Sequence, residues 1–264
     1  MGYVVRYRED ILASDNFFAG SHERRTGEFL QALDDPGIRA VFCARGGYGS
    51  NYVANTLARA PLPTPKIVMG YSDVTTLHSL LWQRDGWVTF HGPMVTVDLA
   101  AGADSYDAAS LRLATTSTGP WEAGRATQVL RRGEAEGVLL GGCLSILVTA
   151  LGTPREIDFR GALLFLEDLD ERPYQVDRML FHLREAGKLE GVRAIIFGEM
   201  KGCQAAEGKT PLEEVIMGAL EGLDLPVLFG FPSGHTSGGN VCLPLGVRAA
   251  ISGDTLALLE GAVC

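Results

Sequence analysis

The sequence predicts an α/β fold built on parallel sheets, and three observations predict it. Short apolar runs rich in Val, Ile and Leu recur along the 264 residues. They alternate with longer stretches of helical periodicity. The runs are apolar on both faces, as in strands covered by helices above and below.

The elements follow in order. "GYVVRY" near the start has the composition of a strand. "SHERRTGEFLQALDD" has a helical pattern, with Ser21 as a candidate N-cap. "RAVFCA" is a strand, "RGGYGS" a glycine turn and "NYVANTLARA" a helix. "KIVMG" is a strand that runs through Gly-Tyr-Ser-Asp into the helix "DVTTLHSLLWQRDG". From about Ala101 to Arg125 the rhythm breaks into Ala, Ser, Thr, Gly and Asp, the composition of a crossing between domains. The expected division is an N-terminal domain at 1–105, a linker at 106–125 and a C-terminal domain at 126–264. The second domain opens with the strands "GVLLGG" and "ALLFLE". "PYQVDRMLFHLREAG" is a helix with Pro173 in its first turn and Gly187 past its end. "RAIIFGE", "PLEEVIMGALEGL" and "PVLFG" continue as strand, helix and strand. The tail from Asn240 has short apolar runs broken by Pro and Gly, as in β-hairpins.

Composition narrows the function. The hydrophobic fraction is 46% and the charged fraction 21%, ordinary for a globular protein. A net charge of −9, with no Lys/Arg cluster longer than a pair, supplies no field for nucleic-acid phosphates. No run approaches the roughly 18 apolar residues that cross a bilayer. The N-terminus has no signal-type apolar segment. Cys43, Cys143, Cys203, Cys242 and Cys264 are scattered, with no C-x-x-C spacing. That argues against a disulfide framework or a zinc site, and for a reducing compartment. The expectation is a cytoplasmic protein with no metal or other cofactor, no nucleic-acid partner and no membrane span.

Four stretches carry candidate chemistry. Ser72 stands where a strand gives way to a helix. There it either caps the helix or is a nucleophile raised at the carboxyl edge of a sheet, although "GYSDV" is not G-x-S-x-G. "ARGGYGS" leads from strand to helix at the same edge. It is either a plain tight turn or a cradle of N–H groups for an oxyanion or carboxylate. Glu167 ends an apolar strand, where an unpaired carboxylate would be costly and a histidine would be a natural partner. His235 lies in the loop "GFPSGHTSGGN", while His91 in "TFHGPM" ends a strand and is the rival histidine. Serine, acid, histidine is a workable chain order for a nucleophilic triad, since geometry and not order is what matters.

Together, "ARGGYGS", "MGYSDVTTLH", "TFHGPM", "GGCLSIL", "LFLEDLDERPYQVDRML" and "GHTSGGNVCLPLGVRA" resemble the LD-carboxypeptidases of peptidase family S66. The branches of that family include murein tetrapeptide carboxypeptidases and microcin C self-immunity peptidases. The resemblance implies a triad of Ser72, Glu167 and His235. It also implies an oxyanion hole from the backbone N–H groups of Asp73 and Gly47. Arg45 and His91 are weaker candidates for contacting the substrate. It further implies a flavodoxin-like N-terminal parallel-sheet domain and a C-terminal α/β domain with β-hairpins. A homodimer, no metal, and a peptide substrate that releases a terminal D-amino acid complete the expectation. An aminoacyl-nucleotide antibiotic is the alternative substrate. The family pattern carries another strand and helix ahead of "GYVVRY", which this sequence lacks.

Overall fold

The structure is a computed structural model that describes residues 2–263. Two sheets organise it. The first contains β1 (Ala40–Phe42), β2 (Ile67–Gly70) and β3 (Thr89–His91), all parallel, with β10 (Leu243–Leu245) antiparallel to β3. Helices α1 (His22–Asp34), α2 (Ser50–Leu57) and α3 (Thr75–Asp85) connect and cover these strands. Ser21 caps α1 as expected, its side chain accepting a hydrogen bond from the Arg24 N–H at 3.2 Å. Phe29 and Leu33 of α1, Leu57 of α2, Val68 of β2, and Leu77 and Leu81 of α3 form the core of this layer.

The second sheet has eight strands. Its centre is parallel: β6 (Glu134–Cys143), β7 (Ala162–Glu167), β8 (Ala194–Gly198) and β9 (Val227–Phe231). The hairpin β11 (Arg248–Ser252) and β12 (Thr255–Leu258) extends one side antiparallel, followed by β4 (Trp121–Arg125). β5 (Gln128–Arg131) closes the other side against β9. α5 (Leu144–Thr149), α6 (Pro173–Glu185) and α7 (Leu212–Ala219) cover one face. Side chains alternate across a strand. Leu164 and Leu166 of β7 therefore pack with Leu180 and Leu183 of α6. Leu163 and Phe165 face the opposite side, toward Leu243 and Leu245 of β10. The same alternation sends Glu167 to that second side, toward the first sheet.

Three expectations are corrected. "GYVVRY" forms no strand; Tyr3, Val4, Val5 and Tyr7 are 71–85% exposed. A run of β-formers still needs a neighbour to take its backbone groups, and β1, the edge of the first sheet, pairs only with β2. The expected linker at 106–125 holds α4 (Ala108–Thr116), capped by Asp107, and β4. β4 is stabilised by a distant partner, β12, so its own sequence gives little sign of it. Finally, the tail is not wholly in the second sheet, because β10 crosses to pair with β3. Cys43, Cys143, Cys203 and Cys242 are free thiols, while Cys264 lies outside the described residues. Among the described residues no helix is long and apolar enough to cross a membrane.

Candidate active site

The candidate residues gather where the two sheets meet. Ser72 opens a single 3₁₀ turn, Ser72–Val74, between β2 and α3. Its φ is +63°, a left-handed conformation that a side-chain-bearing residue adopts only under constraint. Such strain at a strand-to-helix turn pushes the hydroxyl outward from the sheet edge, and Ser72 is partly exposed. Helix capping, the other reading of this serine, falls to neither Ser72 nor Asp73. Val74, the residue before α3, is itself helical in backbone and makes no side-chain cap bond. The Asp73 carboxylate instead accepts a hydrogen bond from the Ser50 N–H at 2.8 Å, tying the start of α2 to this turn.

The glycine loop lies directly against Ser72. A methyl group added at Gly46 would sit 2.9 Å from Ser72 Cβ and 3.1 Å from its Oγ, so only glycine permits this approach. Gly47 follows with φ +105°. Backbone bonds from the Val95 and Thr96 N–H groups to the Cys43 and Ala44 carbonyls pin the loop from below. Arg45 stands exposed on it.

Glu167 and His235 form the tightest polar contact of the site. His235 donates to Glu167 Oε2 from Nδ1 at 2.7 Å and again from its backbone N–H at 2.9 Å. Gly234, at φ +89°, makes this possible, since a Cβ there would fall 2.6 Å from the carboxyl carbon and Oε2 of Glu167. The Glu167 side chain is 1% exposed and that of His235 15%. Burial opposes both charges. It raises the Glu167 carboxyl, but the hydrogen bond and charge of His235 more than reverse this, and the net displacement is downward. It lowers the imidazole, but the hydrogen bond and charge of Glu167, with Asp168 and Asp98 beyond, carry His235 net upward. Nδ1 is committed to the carboxylate, which leaves Nε2 to take or give a proton.

Tyr71, the neighbour of Ser72, joins the serine and histidine segments. Its ring meets the His235 imidazole edge-on, with centroids 4.9 Å apart. The Tyr71 hydroxyl points at Asp98 Oδ1, 3.4 Å away. Asp98 also accepts from the Met94 N–H at 2.8 Å and from Asn240 Nδ2 at 3.2 Å. Asn240 Oδ1 in turn accepts from the Gly234 N–H at 3.0 Å. A buried chain of polar groups thus runs from the serine turn to the histidine loop. Reading the sequence for chemistry missed Tyr71, Asp98 and Asn240. Asn240 lay inside a motif already noted, whereas nothing local marked Asp98.

His91 occupies a different position from the one expected of a substrate contact. It is 0% exposed and walled by Phe165 and Tyr71, with ring centroids 5.2 and 5.9 Å away, so it offers no surface to a ligand. Its Nε2 faces Glu167 Oε1 at 3.9 Å. Burial pushes its imidazole down to about 4, against the upward pull of Glu167. His78 is likewise sealed within α3, its Nε2 against the Gly70 carbonyl at 2.9 Å.

The chain is similar in sequence and in fold to known proteins. Residues 1–92 match the LD-carboxypeptidase N-terminal domain, and residues 136–251 match the LD-carboxypeptidase C-terminal domain. The chain is 36% identical over 273 residues to a probable murein peptide carboxypeptidase of Bacillus subtilis, covering 100% of this chain and 84% of that protein. The crystal structure of a muramoyltetrapeptide carboxypeptidase from Oxalobacter formigenes superimposes with a TM-score of 0.78 at 29% identity, covering 98% of this chain and 90% of that one. The microcin C7 self-immunity protein MccF superimposes with a TM-score of 0.82, covering 97% of this chain and 86% of that one. At 24% identity this likeness concerns the fold alone.

Proposed function

Since the chain belongs to the LD-carboxypeptidase family, we propose that it is a serine carboxypeptidase that removes a terminal D-amino acid, D-alanine foremost, from murein tetrapeptides. The observation that carries the reading is the double hydrogen bond from His235 to buried Glu167, in a loop packed on the neighbour of a strained serine.

The proposed reaction runs in two stages. His235 Nε2 takes the Ser72 proton as Oγ attacks the carbonyl carbon of the L–D bond. Glu167 stays ionised and stabilises the imidazolium that forms. The N–H groups of Gly47 and Asp73 receive the tetrahedral oxyanion, each such donor being worth about 3 kcal/mol. The intermediate expels the D-amino acid amine, which takes its proton from His235, and an ester to Ser72 remains. Water, deprotonated by the same imidazole, hydrolyses this ester and returns the serine hydroxyl. Arg45, exposed beside Gly46, is the candidate to hold the terminal carboxylate, since a guanidinium matches carboxylate geometry. A cytoplasmic site of action and a homodimer belong to the same reading. Sedimentation of the purified protein tests the latter.

The test is incubation with disaccharide-free murein tetrapeptide and mass detection of products. Free D-alanine and the tripeptide support the proposal, and an intact tetrapeptide contradicts it. An aminoacyl-nucleotide run in parallel separates the peptidase reading from that of a self-immunity enzyme.

A further inference from the structure

The catalytic carboxylate has two oxygens, and only one has a partner. Oε2 of Glu167 takes both hydrogen bonds from His235, while Oε1 has none. Across from Oε1, at 3.9 Å, stands Nε2 of His91. Both nitrogens of His91 are also unpartnered, and the two side chains are 0% and 1% exposed. A buried carboxylate oxygen and a buried ring nitrogen that face each other without satisfaction would cost several kcal/mol if left so. Each is the natural complement of the other.

The residues arrive from different sheets. His91 ends β3 in the first, and Glu167 ends β7 in the second. The contact therefore bridges the two layers near the place where Tyr71, the neighbour of the proposed nucleophile, packs on the His235 ring. We propose that His91 is a positioning residue for the reaction: neutral and protonated at Nε2, it holds Oε1 of Glu167, directly after a small side-chain rotation, so that Oε2 stays aimed at His235.

Neutrality follows from the enclosure, which pushes His91 down to about 4, so it acts as a dipole and not as an ion above that pH. The titratable groups around the pair are His235 and Asp168 beside Glu167, Cys143 opposite it on β6, Tyr71 and His78 flanking His91, and Asp98 behind Tyr71. None of them supplies a hydrogen bond to Oε1. In a dry enclosure a single N–H dipole on a carboxylate has a large effect, because little solvent screens it. It spreads the charge of Glu167 and thereby limits how strongly the carboxylate retains the proton on His235. It also prevents the carboxyl from rotating out of the Nδ1 plane.

This inference rests on the proposed triad, so its test reads the histidines without requiring turnover. Nitrogen-15 histidine NMR of the wild-type protein should show His91 neutral from pH 5.5 to 8 with its proton on Nε2. A proton on Nδ1, or an imidazolium in that range, overturns the proposal whatever substrate the protein takes. His91→Phe keeps a ring between Tyr71 and Phe165 but removes the donor. It should raise the His235 pKa by about half a unit or more and lower kcat about 10- to 100-fold with little change in KM, the scale of one hydrogen bond to a charged group. His91→Gln, which restores an amide N–H, should recover most of both. Equal losses in the two variants with an unmoved His235 titration would reduce His91 to packing and overturn the proposal. If His91→Phe does not fold, the wild-type tautomer still decides. An unreactive wild-type protein with the stated tautomer and titration shift would refute the peptidase reading and leave the His91–Glu167 contact standing.

Discussion

Oε2 of Glu167 accepts two hydrogen bonds from one residue, His235, through Nδ1 at 2.7 Å and through the backbone N–H at 2.9 Å. The side-chain bond fixes the tautomer. The backbone bond fixes the loop that carries the ring. Replacing the carboxylate should therefore affect both. In Glu167→Gln the geometry can survive while the charge is lost. We expect kcat to fall by on the order of 10⁴-fold and the His235 pKa to fall below its present raised position. Steady-state rates and histidine NMR check the two effects, and a rate near wild type would separate Glu167 from the chemistry.

The pH profile has a definite sign. His235 must be neutral to accept the serine proton, and its net displacement is upward from 6.5. The acid limb of kcat/KM should therefore lie above 6.5, with activity rising through neutrality into mildly alkaline pH. An acid limb at or below 6.5 would contradict the ion pair.

The serine conformation carries a cost that glycine would not. Ser72 sits at φ +63°. Ser72→Gly should abolish hydrolysis and raise stability by about 1 kcal/mol, as relief of a left-handed strain predicts. Urea denaturation of the variant beside wild type measures it.

Close packing at Gly46 makes a more selective probe. An alanine methyl would press to within 2.9 Å of Ser72 Cβ and 3.1 Å of Oγ, and Gly46 has no positive φ to add strain of its own. Gly46→Ala should displace the hydroxyl and cost about 100-fold in kcat while leaving the unfolding transition nearly intact. An unchanged kcat would mean that Oγ has room to move without loss.

Acid should loosen the fold before it protonates its carboxylates in general. Burial holds His78 down at about 3 and His91 at about 4. Below an ordinary imidazole value of about 6.5 the unfolded chain binds protons that the folded chain refuses. Stability thus falls as the pH drops from 6.5 toward 4. His235 acts oppositely, since its raised pKa adds stability that is present below 6.5 and fades as the pH rises through the folded value. Stability should peak near 6.5. Urea midpoints from pH 4.5 to 8.5 test this, and a flat curve would contradict the sealed histidines.

Much of the site is legible in the sequence because Ser72, Glu167 and His235 each end or follow an apolar run, and parallel strands deliver such residues to one edge. What is not legible depends on distant pairing. Asp98 and Asn240 are 142 residues apart and have meaning only through their contact. β4 forms on the support of β12, and β10 leaves its own region to reach β3. "GYVVRY" fails in the opposite direction: it has strand composition but pairs with no strand. In the sequence His91 is a rival histidine and a candidate substrate contact, because a strand-end histidine shows its chemical type there but not that Phe165 and Tyr71 enclose it.

The central claim is that the Ser72 hydroxyl performs the attack. The most direct measurement is the rate of D-alanine release from a murein tetrapeptide by Ser72→Ala beside the wild-type protein, both shown to be folded. The account predicts rapid release by the wild type and a loss on the order of 10⁴- to 10⁶-fold in the variant. Release by Ser72→Ala at the wild-type rate would contradict it.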